Sequence, residues 1–204
     1  MRKLVIETAS EACSIALFDG DKLVAADHRV LGRGHAERLI PMVGALPDRG
    51  KADEIYVSLG PGSFTGTRIG LAAARALGVA WSARVEGFPT LAIVAAAARE
   101  KHEENDLLVV MAGGHGEFFV QPFDATGLPR ADHASLKPEA AVERFADEQV
   151  FVGNRAEAFV DLRGSGQALE ILPDARAFPV MPAELHIAKL APIYGRPPDA
   201  KAPV

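Results

Sequence analysis

Short apolar runs broken by turn residues organise the first half of the chain. Residues 4–8, 13–18 and 22–29 read as three strands, with Asp19-Gly20 as a tight hairpin turn between the second and third. Past Gly32-Arg33-Gly34, the residues Leu39, Ile40, Val43 and Leu46 recur at helical spacing. They predict a helix from His35 to about Leu46, with Pro41 in its first two turns, where a missing N–H costs least. A fourth strand at 55–59 runs into a glycine-rich turn and a long Ala-rich helix ending near Ala83. A short strand at 84–87 and a helix from Thr90 to about Glu100, started by Pro89, complete the order β-β-β-α-β-α-β-α.

Residues 101–106 form a charged break. It divides the chain into an N-terminal lobe, residues 1–103, and a shorter C-terminal lobe, residues 104–204. Residues 107–111 and 117–123 read as strands around a hairpin at Gly113-Gly114-His115-Gly116. Helices are expected at 138–146, 156–162 and 182–190, and a short strand at 150–152. A proline-rich tail from Gly195 is expected to be extended or disordered. No sequence repeat appears at periods of roughly 20–50 residues, yet each half opens with strands and closes with helices.

The segment Gly60-Pro61-Gly62-Ser63-Phe64-Thr65-Gly66-Thr67-Arg68-Ile69-Gly70 links the fourth strand to the second helix. A glycine-rich turn at that place is the setting of phosphate loops. This one lacks the Gly-Lys-Ser/Thr of a Walker loop and misses the G-x-G-x-x-G spacing by one residue. A tight turn with Ser63 or Thr65 capping the helix accounts for it. Between Ile69 and Ala83 the only charged residue is Arg75, on the same face as Arg68 seven residues earlier. A helix apolar all round is buried on every side, within its own domain or by another chain.

Composition narrows the function classes. Of 204 residues 49% are hydrophobic, enough for a core in one domain or two lobes. The net charge is −5, the isoelectric point about 5.7 and the aromatic content 6%, a poor match to a protein that binds RNA unaided. A single cysteine, Cys13, excludes an intramolecular disulfide and reads as a small buried hydrophobe. The first apolar run stops at Glu7, too short for a secretory signal, and no long uncharged apolar window is present. A cytoplasmic protein without a membrane segment is expected. Ser63 lacks the G-x-S-x-G frame of a nucleophile elbow. Glu7 supplies a carboxylate near the first strand, but Thr8-Ala9-Ser10-Glu11 has neither glycine nor cation to hold phosphates.

Four segments resemble the bacterial TsaB (YeaZ) family. They are the opening, Val5 to Ala16; the run Gly34-His35-Ala36-Glu37-Arg38-Leu39-Ile40-Pro41-Met42-Val43; the turn, Gly60 to Gly70; and the ending, Pro192-Ile193-Tyr194-Gly195-Arg196-Pro197-Pro198-Asp199-Ala200-Lys201. The resemblance is strong over residues 1 to about 100 and at the tail, and loose from about 105 to 190. It implies an α/β, actin-like (ribonuclease-H-like) two-lobe fold with mixed sheets flanked by helices. It also implies a non-catalytic paralogue of TsaD, the subunit that transfers threonylcarbamoyl to N6 of adenosine 37 in tRNAs reading ANN codons. Implied partners are TsaD as a heterodimer, the ATPase TsaE, and a second copy when the chain is alone, with tRNA met only through the complex. No cofactor or metal of its own is implied; ATP or ADP has a place at the interface with TsaD. The implied partner-binding residues are His35, Leu39, Met42 and Val43 on the first helix and Gly66, Arg68, Ile69, Gly70, Ala73 and Leu77 on the second, with Arg75 as a rim charge. TsaD-type proteins carry His-x-x-x-His on the first helix; here His35 is followed by Leu39, so one ligand is missing. The family's Asp-Ala-Arg-x-Gly-Glu turn reads Ala112-Gly113-Gly114-His115-Gly116-Glu117, without its Asp and Arg. An actin-like ATP-using enzyme and a homodimeric regulator are the rival readings.

Overall fold

A computed structural model describes residues 1–99 and 106–195. The expected end of the third helix, the lobe boundary and the tail beyond Gly195 lie outside the described residues. Strands β1 (Arg2–Glu7), β2 (Ala12–Asp19) and β3 (Lys22–Val30) run antiparallel. Helix α1 (His35–Ala45) leads to β4 (Glu54–Ser58), and α2 (Phe64–Trp81) leads to β5 (Arg84–Phe88), both strands adding in parallel. The order across this sheet is β3-β2-β1-β4-β5. Helix α3 (Thr90–Arg99) follows.

The second sheet repeats the plan. Strands β6 (Leu107–Ala112), β7 (Phe118–Phe123) and β8 (Ala134–Leu136) are antiparallel. Helix α4 (Pro138–Arg144), β9 (Val150–Val152), α5 (Ala156–Arg163) and β10 (Gln167–Leu169) then give two parallel additions, in the order β8-β7-β6-β9-β10. A three-stranded antiparallel unit followed by two crossovers is the ribonuclease-H-like plan, and its duplication is the actin-like two-lobe fold. The eight elements of the first half occur in the expected order. In the second half β8 and β10 were not anticipated, and the helix expected at 182–190 is only a single turn, Ala183–Leu185. Backbone pairing explains that difference: Ile187 exchanges hydrogen bonds with Gly87 at the edge of β5, which an α-helix forbids.

Burial corrects the reading of the second helix. The helix apolar all round is α3, whose residues from Thr90 to Ala98 are all buried, packed with side chains from both sheets such as Val5, Tyr56, Val109 and Phe123. Helix α2 buries one side only, against β1, β4 and β5. Its glycines serve close approach. A methyl group at Gly62, Gly66 or Gly70 would run into the backbone or side chain of Thr8 or Ala9. Ser63 caps the helix by accepting the Gly66 N–H at 3.1 Å, as its position implies. The Gly60–Pro61 peptide is cis.

After β10 the chain returns to the first lobe. The turn at Ala175–Val180 packs on α3, β1, β2 and β3. Further on, the Ile193 N–H donates to Leu59 O at 2.7 Å. Arg75 reaches the Leu190 carbonyl at 2.6 Å, and Arg68 the Tyr194 hydroxyl at 2.9 Å. Both arginines of α2 thus hold the return segment.

Two glycine substitutions should move stability in opposite directions. At Gly66, steric conflict with the Thr8 carbonyl should outweigh the helical preference for alanine, so Gly66→Ala should destabilise by about 1–3 kcal/mol. At Gly44, on the open side of α1 with nothing near an added methyl group, Gly44→Ala should stabilise by up to about 1 kcal/mol. Urea unfolding of the two variants beside the parent chain measures both; a neutral Gly66→Ala would refute the close-approach account.

Candidate functional site

Helices α1 and α2 pack side by side on one face of the first sheet, and the expected docking residues fall on two sides of that layer. Leu39, Met42 and Val43 are buried in the core with Leu4, Ile6, Ile15 and Leu71. His35 is buried too, its Nε2–H donating to Ala12 O at 3.0 Å. Gly66 and Gly70 lie against Thr8. Ile69, Ala73 and Leu77 are half-buried at the margin of the same core. Of the residues expected to contact a partner, Arg68 and Arg75 are exposed, and they are engaged with Tyr194 and the Leu190 carbonyl.

What the two helices present outward is a second set. On α1 it comprises, beyond the exposed Ala36, Glu37 and Arg38 of the first turn, Ile40, 49% exposed, with Pro41, Gly44 and Ala45. On α2 it comprises Ala72, Ala76, Ala80 and Val79, the last 85% exposed. These positions recur every three or four residues, so each helix shows a stripe of small or apolar side chains to solvent. The signal was in the sequence as spacing among alanines, but it is hidden where the larger core-facing residues dominate the pattern.

A second feature lies between the lobes. A cavity of about 850 Å³ is lined by the β1–β2 turn, the start of α2, the β6–β7 turn and the return segment. Its back wall is a hydrogen-bonded latch across the lobes. Asn154 Nδ2 donates to Glu11 Oε1 and Oε2 at 2.8 and 3.0 Å, while Asn154 Oδ1 accepts the Ala112 N–H at 2.8 Å. The duplicated plan pairs the last residue of β1, Glu7, with the last of β6, Ala112. Ala112 borders the cavity, whereas Glu7 is buried beneath it, one oxygen accepting the Ala9 N–H at 2.8 Å and Oε2 without a partner. Ser63 also borders the cavity, its hydroxyl oxygen occupied as the α2 cap. Cys13 is fully buried, and burial pushes its thiol up to about 11, an inert hydrophobe as its setting on a strand implies. Among the described residues no three His, Cys, Asp or Glu side chains are placed to hold a metal ion, and no helix is long and apolar enough to cross a membrane.

Comparison with known proteins sets this geometry in a family. The model of the TsaD family, tRNA N6-adenosine threonylcarbamoyltransferase, matches residues 29–173. The tRNA threonylcarbamoyladenosine biosynthesis protein TsaB of Escherichia coli is 34% identical over 79% of this chain and 75% of its own length. TsaB of Haemophilus influenzae is 30% identical over 57% of this chain and 51% of its own. A crystal structure from Pseudomonas aeruginosa, of a protein similar to the peptidase YeaZ, superposes with a TM-score of 0.79 at 26% identity, covering 96% of this chain and 99% of the other. The Pseudomonas aeruginosa YeaZ structure gives 0.74 at 28% identity, covering 87% and 88%. With its duplicated sheets, its glycine turn and these matches, the chain belongs to the TsaB (YeaZ) family, within the wider group that the TsaD model describes.

Proposed function

We propose that the chain is the non-catalytic partner of a TsaD-type transferase, docking through α1 and α2 to support threonylcarbamoyl transfer to N6 of adenosine 37 in tRNAs reading ANN codons. The observation that carries this reading is the uncovered stripe of Ile40, Pro41, Gly44, Ala72, Ala76 and Val79, on a chain whose relatives are named for threonylcarbamoyladenosine biosynthesis. Isolated apolar side chains are ordinary on a protein surface, but a contiguous stripe over two packed helices marks an interface. Its small residues let partner helices approach to about 8–10 Å between axes, which favours a four-helix contact. The same stripe pairs two copies when the chain is alone, so homodimer and heterodimer compete. The acidic chain meets tRNA in the cytoplasm only through the complex, which TsaE also joins.

ATP or ADP belongs in this scheme at the joint interface, not in the chain's own cleft. Phosphoryl transfer needs placed cations, and among the described residues lining the cavity Arg68 is the only Lys or Arg. Burial pushes the Glu7 carboxyl up to about 8, against the pull of the Ala9 N–H, so it keeps its proton at neutral pH and is a poor magnesium ligand. The peptidase reading lacks an oriented base for Ser63.

Two measurements test this. In Val79→Glu the chain should keep its stability within about 0.5 kcal/mol. Its pairing with TsaD from the same organism should weaken at least about thirtyfold, the effect of about 2 kcal/mol from an unpaired buried charge. Size-exclusion chromatography with light scattering reads the outcome, and unchanged pairing would put the interface elsewhere. Glu7 gives a pH test. Between its ordinary 4.5 and about 8 the folded chain holds a proton that the unfolded chain has lost. Stability should therefore fall as pH rises through that window, by about 1.4 kcal/mol per unit. Glu7→Gln removes the slope, so the variant should gain on the parent at pH 8 and little at pH 5. Parallel melting curves across that range would mean that Glu7 is charged in the folded chain.

A further inference from the structure

The mouth of the interlobe cavity carries an open aromatic platform that docking on α1 and α2 leaves unused. Phe64 is 58% exposed and Tyr194 48%, with ring centroids 6.1 Å apart. The Arg68 guanidinium lies 3.5 Å from the centre of the Phe64 ring, and its Nη2–H donates to the Tyr194 hydroxyl. The Tyr194 backbone is held as well, its carbonyl accepting from His133 Nε2 at 3.3 Å. Both rings are thus held in place; the guanidinium covers one face of Phe64, and about half of each side chain stays exposed. Two aromatic faces beside a guanidinium plane are the surfaces on which unpaired nucleobases stack, and they are sequence-tolerant because every base has a π-face.

The space behind the platform sets the chemistry of what enters. The cavity of about 850 Å³ is lined by Ser10, Glu11, Ser135 and His115 among apolar residues such as Met111 and Phe119. Glu11 accepts two hydrogen bonds from Asn154, which leaves further lone pairs for the amino group of a base. A phosphate is disfavoured there: Glu11 repels it, and Arg68 is already engaged. We propose that the platform and cavity receive an unpaired nucleobase presented by an RNA loop, with the phosphates outside in solvent. This rests on the tRNA reading above, since a chain of net charge −5 needs a partner's basic surface for affinity.

The probes are a labelled RNA hairpin with an unpaired loop, a fully paired RNA duplex, and adenosine alone. Each is titrated onto the complex with TsaD by fluorescence anisotropy or, for adenosine, calorimetry. Pairing of the parent chains is scored first and separately, and its failure counts against the docking reading. In that event the hairpin is titrated onto concentrated free chain at high salt, where charge repulsion is screened and stacking alone must hold it weakly; no binding there overturns the present proposal too. The expected result is hairpin binding over duplex, weakened at least about tenfold by Phe64→Ala or Tyr194→Ala with pairing unchanged. Tyr194→Phe, which keeps the ring and loses the hydroxyl, should bind nearly as the parent does. Variants that leave hairpin affinity unchanged overturn the proposal. Variants that weaken pairing instead make the platform a protein contact and also overturn it. Adenosine binding as tightly as the hairpin assigns the cavity to a free nucleoside and overturns the RNA source.

Discussion

Helix α3 lies where both sheets meet, and its side chains must satisfy two apolar surfaces at once. Alanine at 92, 95, 96, 97 and 98 keeps it thin enough to sit between them, while Leu91, Ile93 and Val94 fill the remaining space. A polar side chain there would be buried without water, at a cost of about 1–3 kcal/mol or more. Because one helix serves both lobes, their relative placement is fixed by the same packing that stabilises each. The Glu11–Asn154–Ala112 latch adds a polar constraint at the other side of the cleft. A lobe pair so joined is suited to presenting a surface more than to opening and closing around a substrate.

Much of the first lobe was legible because its elements are long enough to show a period. The order of strands and helices from β1 to α3 follows directly from apolar runs and turn residues. Legibility failed at Ala134–Leu136 and Gln167–Leu169, three-residue strands of mixed polarity, whereas the equally short Val150–Val152 is apolar throughout and was read. It failed also where tertiary pairing overrode local preference, as at Ile187.

The outward sides of α1 and α2 were harder to read, for a different reason. Helical periodicity of large apolar side chains reports the face turned to the chain's own core, which is where Leu39, Met42 and Val43 sit. The outward sides mix Ile40 and Val79 with Ala, Gly and Pro, which a hydrophobicity pattern weighs lightly, and with the charged Glu37, Arg38 and Arg75. The helix between the sheets was marked by its charge: Thr90 to Ala98 carries none, whereas α2 carries Arg68 and Arg75. The platform at Phe64 and Tyr194 joins residues 130 positions apart in number, and only the fold brings them together.

The return segment has a consequence for the order of events during synthesis. Arg75 bonds a carbonyl 115 positions further along the chain, and Arg68 a hydroxyl 126 positions further. At about 5–20 residues per second, a growing chain spends ~10 s with α2 made and its two guanidinium partners not yet translated. The first lobe is therefore emitted first and finished last. Until residues 187–195 emerge, the edge of β5, the Leu59 carbonyl and the start of α2 are open to water or to a chaperone. The edge of β5 and the start of α2 are thus the last parts of the first lobe to be covered.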